Sequence, residues 1–198
     1  MTQPRADWVN TTHDWAGSVD LAHLQQIRDH ADVYAPGVLH LVLEVIAYPD
    51  DEAEAAGRRG SCLVTLHADG SLSVTDNGRG TDTRVDEDGN LVKKPIMATE
   101  DLRFFQDPAA PLLPDGLPRR GMSVVAALSA SLTHTNRRLN GSWTQRYEHG
   151  VPVNDLEAIA SDGTTGTTVR FRPAAPLTAE DLQPYLVFPH LDITVTLG

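Results

Sequence analysis

Residues 65–80 read "TLHADGSLSVTDNGRG": a turn, a short alternating strand, then an aspartate followed closely by two glycines. The stretch 69–72, "DGSL", is turn chemistry between two apolar-rich runs, 61–67 and 71–75, so this part of the chain reads as two strands joined by the "ADGS" turn. Asp76 closes the second strand. Gly78 and Gly80 permit positive φ and let a ligand come close to the main chain. "DNG" alone is also ordinary hairpin chemistry, so the residues around it must decide whether Asp76 ends a turn or faces a ligand.

Working outward, the chain has 198 residues, 40% of them apolar and 22% charged, which suits one soluble domain with a sizeable core. Its net charge of −11 argues against a surface for direct nucleic-acid binding. The single cysteine, Cys62, leaves no internal disulfide and reads as a buried thiol in a reducing compartment. No run is long and apolar enough for a membrane span, and residues 1–10 are not a signal peptide; the expected location is the cytoplasm.

Residues 1–17 are polar and read as an N-terminal arm, with Trp8 and Trp15 as anchors. A helix is predicted from about Asp20 to His30, capped by Ser18, with Leu21, Leu24 and Ile27 on its buried face. Pro36-Gly37 breaks the chain before the almost wholly apolar run 38–47, "VLHLVLEVIA". Residues 81–120 carry Asp-Gly turns and five prolines and read as a mobile lid, with a short helix near 97–105. A buried helix opened by Gly121 follows. Strands are predicted at 132–137, 142–149 and 166–172, then a helix capped by Thr178 and a last strand "LDITVTL". The order reads as α+β, a two-layer sandwich of helices over mostly antiparallel strands.

Within the apolar run stands Glu44, sharing a helix face with Tyr48 and Asp51. A buried carboxylate is expensive unless paired or facing a cavity, so Glu44 is either compensated by an arginine or a general base lining a pocket. His40 reads as a core residue, and His134 and His149 lack paired metal-ligand spacing.

Four ordered blocks, "EVIAYPDDEA" (44–53), "DGSLSVTDNGRG" (69–80), "GLPRRGMSVVAALS" (116–129) and "YEHGVP" with "GTTVRFRP" (147–152, 166–173), together resemble the ATP-binding domain of the type II topoisomerase B subunits, gyrase B in particular. The resemblance covers about residues 20–198 and implies the GHKL, or Bergerat, fold: a mixed, mostly antiparallel sheet covered by helices on one face, here a single domain over 18–198 with a lid over about 81–121. It implies that Glu44 activates the attacking water, that Asp76 and Thr167 bind the adenine edge, and that Gly80 lets the backbone approach the base. It further implies that Val45, Val74 and Val169 line the slot, and that Arg79 packs over the base while pairing with Glu52. Asp51 belongs to the same nucleotide-binding set.

The phosphate half departs from the pattern. Tyr48 stands where the family has an Mg²⁺-binding asparagine, and a phenol is a poor ligand for that ion, which makes Mg²⁺ doubtful. Pro49 is expected to end or kink the helix. The lid reads Gly116-Leu117-Pro118-Arg119-Arg120-Gly121, with Arg119 in place of the middle glycine of a phosphate cradle. Thr144 replaces a strand arginine, with Arg146 on the same face. The sequence stops at about the limit of the ATP-binding domain, and the lysine-bearing transducer domain lies outside it. The expectation is a stand-alone domain that binds ATP or another adenine nucleotide with weak or lost hydrolysis, acting as a switch or interaction module with a protein partner or as a homodimer. The alternatives are a repurposed enzyme with Glu44 as base and Arg119 and Arg120 holding an anionic small molecule, or a divergent ATPase with Mg²⁺ on Asp50 or Asp51.

Overall fold

The computed structural model describes residues 19–93 and 96–198. The predicted arm, its tryptophans and the Ser18 cap lie outside the described residues. Helix α1 (Leu21–Asp29) is capped by Asp20, whose carboxylate accepts from His23 N–H at 2.9 Å. Its buried residues are His23, Leu24 and Ile27, whereas Leu21 is 60% exposed. The inward place expected of Leu21 is taken by His23, whose Nε2 meets Ser123 Oγ at 2.8 Å.

A short α2 (Ala31–Tyr34) leads to α3 (Val38–Ala55), which runs straight through Pro49. The expectation that Pro49 ends the helix is overturned. Proline forfeits the N–H that would reach the Val45 carbonyl and crowds that carbonyl with its ring. The last turns are held from outside by His190 N–H on Asp50 at 2.8 Å and Arg119 on Asp51 at 2.7 Å.

Strands β1 (Gly60–Leu66) and β2 (Leu72–Asp76) form the predicted hairpin; β3 (Thr83–Val85) and β4 (Leu91–Lys93) form a separate small one. No helix forms over 97–105. The chain turns there instead, with the Asp101 carbonyl accepting from both Phe104 and Phe105 N–H at 3.0 Å and its carboxylate accepting from Arg103 N–H at 3.1 Å. Met97, Phe104, Phe105 and Leu113 are buried, so this segment contributes side chains to the core.

Helix α4 (Met122–Ala127) follows, opened by Gly121 as expected. Then come β5 (Ser131–Arg137), β6 (Ser142–Glu148), β7 (Val151–Pro152), β8 (Glu157–Ile159) and β9 (Gly166–Arg172). Helix α5 (Ala179–Leu182) has Thr178 as its cap, with Asp181 reciprocating in a capping box, and β10 (Leu191–Leu197) ends the fold.

The main sheet has the order β10-β1-β2-β9-β5-β6-β7, with β8 also on β6. Only β10 and β1 pair in parallel; the other pairs are antiparallel. Strand burial alternates: Cys62 and Val64, Leu132 and His134, Val169 and Phe171 face in, while Ser61, Arg170 and Arg172 are exposed. This one-sided burial, with α1, α3 and α4 over the inner face, is the mixed, mostly antiparallel α+β sandwich expected. Among the described residues no helix is long and apolar enough to cross a membrane. Cys62 is buried, and burial pushes its thiol up to about 12.

Candidate functional site

The register places the site. Thr75 pairs with Thr168, so Asp76 at the end of β2 sits beside Thr167 at the start of β9, and Thr167 pairs in turn with Asn136 of β5. Asp76 Oδ2 accepts from Thr167 N–H at 3.1 Å and from its hydroxyl, while Oδ1 accepts from Gly78 N–H at 2.7 Å. Burial raises the Asp76 pKa, against the opposing pull of these donors. The carboxylate is thus fixed in direction, with lone pairs left over for a ligand.

Gly80, with φ +83°, has no room for a side chain: a Cβ would meet the Arg137 carbonyl at 2.6 Å and Asn136 Oδ1 at 2.7 Å. Gly78, expected to share that freedom, is not in the positive-φ region. Past Gly80 the chain is clamped to β5, Thr81 N–H donating to Asn136 Oδ1 at 2.6 Å and Asn136 Nδ2 to the Thr81 carbonyl at 3.2 Å.

Between these strand ends and α3 lies a partly open cavity of about 160 Å³. Val45 and Pro49 of α3, Val169, Ile96, Met97 and Met122 make apolar walls; Asp76, Thr167, Gly80, Thr81, His134 and Glu52 make the polar end. Apolar walls with a few convergent polar groups, a fixed carboxylate among them, suit a small heterocycle carrying N–H donors.

The expected lining residues divide. Val45, Glu52, Asp76, Gly80, Thr167 and Val169 do line this cavity; Val74 lies beneath it, paired with Val169. Arg79 does not reach the walls. It grips Glu52 through Nε at 2.6 Å and Nη2 at 2.9 Å, which lowers the Glu52 pKa. Thr144 and Arg146 are absent from the lining, and Arg146 is exposed.

Glu44 is a correction. Expected to face a cavity, it is 0% exposed and does not line this one. Its carboxylate accepts from the backbone N–H groups of Arg120 and Gly121, the latter at 3.1 Å, and His40 Nε2 lies 3.4 Å away. Neither of the expected partners, an arginine side chain or open space, is used; the lid backbone closes over it. His40 is held in turn by the lid through Asp115 Oδ2 at 2.7 Å. Burial pushes the His40 pKa down, and the Glu44 and Asp115 carboxylates outweigh it, so the net shift is upward.

The two lid arginines are also occupied, contrary to the reading that they reach across the pocket to an anion. Arg119 Nη1 donates to Asp51 at 2.7 Å, and Arg120 Nη1 donates to the Phe105 carbonyl at 2.9 Å. Gly116 sits in an exposed turn with φ +81°. Tyr48 donates its hydroxyl to Asp101 at 2.7 Å, and burial together with that carboxylate raises its pKa well above the ordinary phenol value. Asp51 therefore belongs to the lid contact, not to the cavity.

No family model matches the chain. Among solved structures, the topoisomerase IV ATP-binding domain of Francisella tularensis, in complex with a small-molecule inhibitor, superposes with a TM-score of 0.67 over 88% of this chain and 90% of that one, at 23% identity. The fold is thus that of a GHKL, or Bergerat-fold, domain. Sequence relatives narrow the class: the DNA gyrase B protein of Haloferax volcanii is 38% identical over 170 residues, 80% of this chain. The Thermotoga maritima gyrase B is 39% identical over 69% of the chain, and the DNA topoisomerase 4 B protein of Bacillus subtilis 34% over 77%. The chain is a gyrase B-like GHKL domain. It spans about a quarter of those relatives, 26%, 22% and 24% of their lengths.

Sequence reasoning missed Thr81, His134, Ile96, Met97 and Met122 as lining. His134 and Asn136 carried a signal: in "LTHTN" both fall on the inward register of the strand with Leu132, where polar side chains need a purpose. The others come from the lid and the start of α4, whose folding onto α3 no local pattern announces.

Proposed function

We propose that this domain binds an adenine-type ligand, with ATP hydrolysis weak or lost, and works as a ligand-dependent switch or interaction module for a protein partner or a second copy. The observation that carries this is the contrast between the two halves of the site. At the base end, Asp76 is aimed by Thr167 and Gly78 beside an open cavity. At the other end, the Glu44 carboxylate is 0% exposed, covered by the lid backbone that donates two N–H groups to it, so water has no open approach to it. Similarity to gyrase B and topoisomerase IV proteins supports the adenine assignment; the activity of those longer proteins is not carried over.

Magnesium, implied by the resemblance, does not fit the residues present. The phenol at Tyr48 stays protonated and gives its hydrogen to Asp101. Asp50 and Asp51 are engaged by His190 and Arg119, and among the described residues no three His, Cys, Asp or Glu side chains gather into a metal-binding group. No catalytic step is derived through the ion.

The test is calorimetric titration with ATP, ADP and adenosine, with and without Mg²⁺, on wild type and Asp76→Asn. Binding should lose about 1–3 kcal/mol in the variant, the cost of an unpaired buried hydrogen-bonding group. Unchanged affinity in Asp76→Asn would remove the base-edge role. Turnover that appears on adding Mg²⁺ would replace the switch reading with an active ATPase.

A further inference from the structure

The adenine-pocket reading leaves the form of the ligand open, and three observations fix it. The first is size. The cavity holds about 160 Å³, close to the roughly 150 Å³ that takes one benzene ring and well below the roughly 300–1,000 Å³ of pockets for drug-sized ligands. With its open side, it accommodates a fused bicyclic ring, and a triphosphate attached to that ring would have to lie outside it.

The second is charge. The described lining contains two carboxylates, Glu52 and Asp76, and no lysine or arginine. Phosphates entering here would meet two carboxylates, of which Glu52 is paired with Arg79 at 2.6 Å while Asp76 is held by N–H and hydroxyl donors rather than a cation.

The third is a partition. Tyr48 lines the cavity, and on its ring stacks the Arg119 guanidinium, 5.0 Å from the ring centroid and 4.0 Å from that of Phe104. Arg119 is only 4% exposed, salt-bridged to Asp51, and lines a second cavity of about 510 Å³ rather than the first. Among the described residues its Nε and Nη2 have no hydrogen-bond partner, and the guanidinium lies between the two rings. Other cations nearby are committed too: Arg79 to Glu52 at 2.6 Å, Arg138 to the Gly80 carbonyl at 3.1 Å, Arg103 to Asp101 at 2.8 Å, and Arg120 to the Phe105 carbonyl.

We infer, resting on the adenine-pocket reading, that the ligand is an uncharged aminopurine, base or nucleoside, and that the Tyr48–Arg119–Asp51 partition excludes its phosphorylated forms. The exocyclic amine donates to Asp76, and the ring lies between the α3 wall and the Met97 side. Arg119 here is a plug, neutralised by Asp51 and covered by two rings, not an anion receptor.

The experiment is calorimetry of the full chain with adenine, adenosine, AMP, ADP and ATP, repeated with Arg119→Gly. Adenine or adenosine should bind wild type at least about tenfold more tightly than ADP or ATP, about 1.4 kcal/mol. Adenine against adenosine separates base from nucleoside. In Arg119→Gly the gap should narrow to within about threefold while adenosine affinity holds. Wild type that binds ATP as tightly as adenosine overturns the exclusion. If that ATP binding is lost in Asp76→Asn, the adenine pocket survives and only the exclusion falls; if none of the five ligands binds, both fall. A gap that persists in Arg119→Gly removes the plug role. Should that variant fail to fold, the wild-type comparison still decides the ligand class.

Discussion

Replacing Glu44 by glutamine keeps the side chain's shape and takes away one acceptor. In the native protein each carboxylate oxygen accepts one backbone N–H, Oε1 from Arg120 and Oε2 from Gly121. Glutamine can serve one with its carbonyl; its amide group then points at the other N–H, donor against donor. The loss is one hydrogen bond to a charged acceptor, about 1.5–3 kcal/mol, plus a buried N–H left unsatisfied, about 1–3 kcal/mol. Part is returned because a neutral amide is cheaper to bury than a carboxylate. A net destabilisation of about 2–4 kcal/mol follows, which in a chain of this length lowers Tm by about 4–16 °C.

Urea denaturation followed by circular dichroism measures it, with Glu52→Gln, at the solvent-facing rim, as the control expected to cost less than about 1 kcal/mol. Because Arg119 and Arg120 lie on the released segment, trypsin should also nick Glu44→Gln there faster than wild type. A Glu44→Gln protein within about 0.5 kcal/mol of wild type, with an equally resistant lid, would refute the reasoning. Glu44 would then be a free base after all.

Gly166→Ala should break the site from the other side. Its φ is +126° and a Cβ would come within 2.0 Å of the Asp76 carbonyl oxygen, so β9 must move off β2, with a loss above about 2 kcal/mol and weakened ligand binding; a wild-type Tm would contradict this. The His40 contacts should be pH-dependent. A raised folded pKa gives stability that is complete below about 6.5 and lost as pH rises through the folded value, so the Tm advantage of wild type over His40→Asn should shrink as pH is raised from about 6; an advantage that grows with pH would reverse the assignment. Cys62, with its thiol held up to about 12, should resist thiol reagents at mildly alkaline pH until the protein unfolds, and fast native labelling would show that β1 opens locally.

What the sequence made legible is what local rules govern. Asp76 and Thr167 stand at the ends of adjacent strands whose alternation sets their register, and Thr178 with Asp181 spells out a helix start. What it hid depends on contacts between distant segments. A proline inside α3 breaks a local rule, but Asp50 and Asp51 are anchored from 140 and 68 residues away. Asp101, buried by the fold, organises the turns at 101–105 where a short helix was expected. Glu44 was recognised as anomalous, yet its partners are backbone N–H groups 76 and 77 residues away, and backbone donors leave no trace in a sequence.

The two ends of the site differ in how they are held, and that difference bears on function. The base end is fixed by the sheet: Asp76 and Thr167 cannot separate without a register shift that would turn every inward residue of β2 or β9 outward. The lid end is fixed by side chains reaching across a gap: Tyr48 to Asp101, Arg119 to Asp51, Asp115 to His40, and Glu44 to the lid backbone. These contacts bear on a single closure, so they are coupled and removing one weakens the others' hold. A ligand in the base cavity touches this network through Tyr48, which both lines the cavity and carries the Arg119 stack. Occupancy can shift the lid through the Tyr48 ring and through the lid residues Thr81, Ile96 and Met97 that line the same cavity, since a ligand biases an equilibrium solely through what it contacts differently in the two states. Of these contacts only Tyr48 also belongs to the closing network, which makes Tyr48→Phe, keeping the ring and its stack but dropping the bond to Asp101, the substitution that separates closure from ligand binding: it should loosen the lid towards protease while leaving the affinity for adenosine as it was.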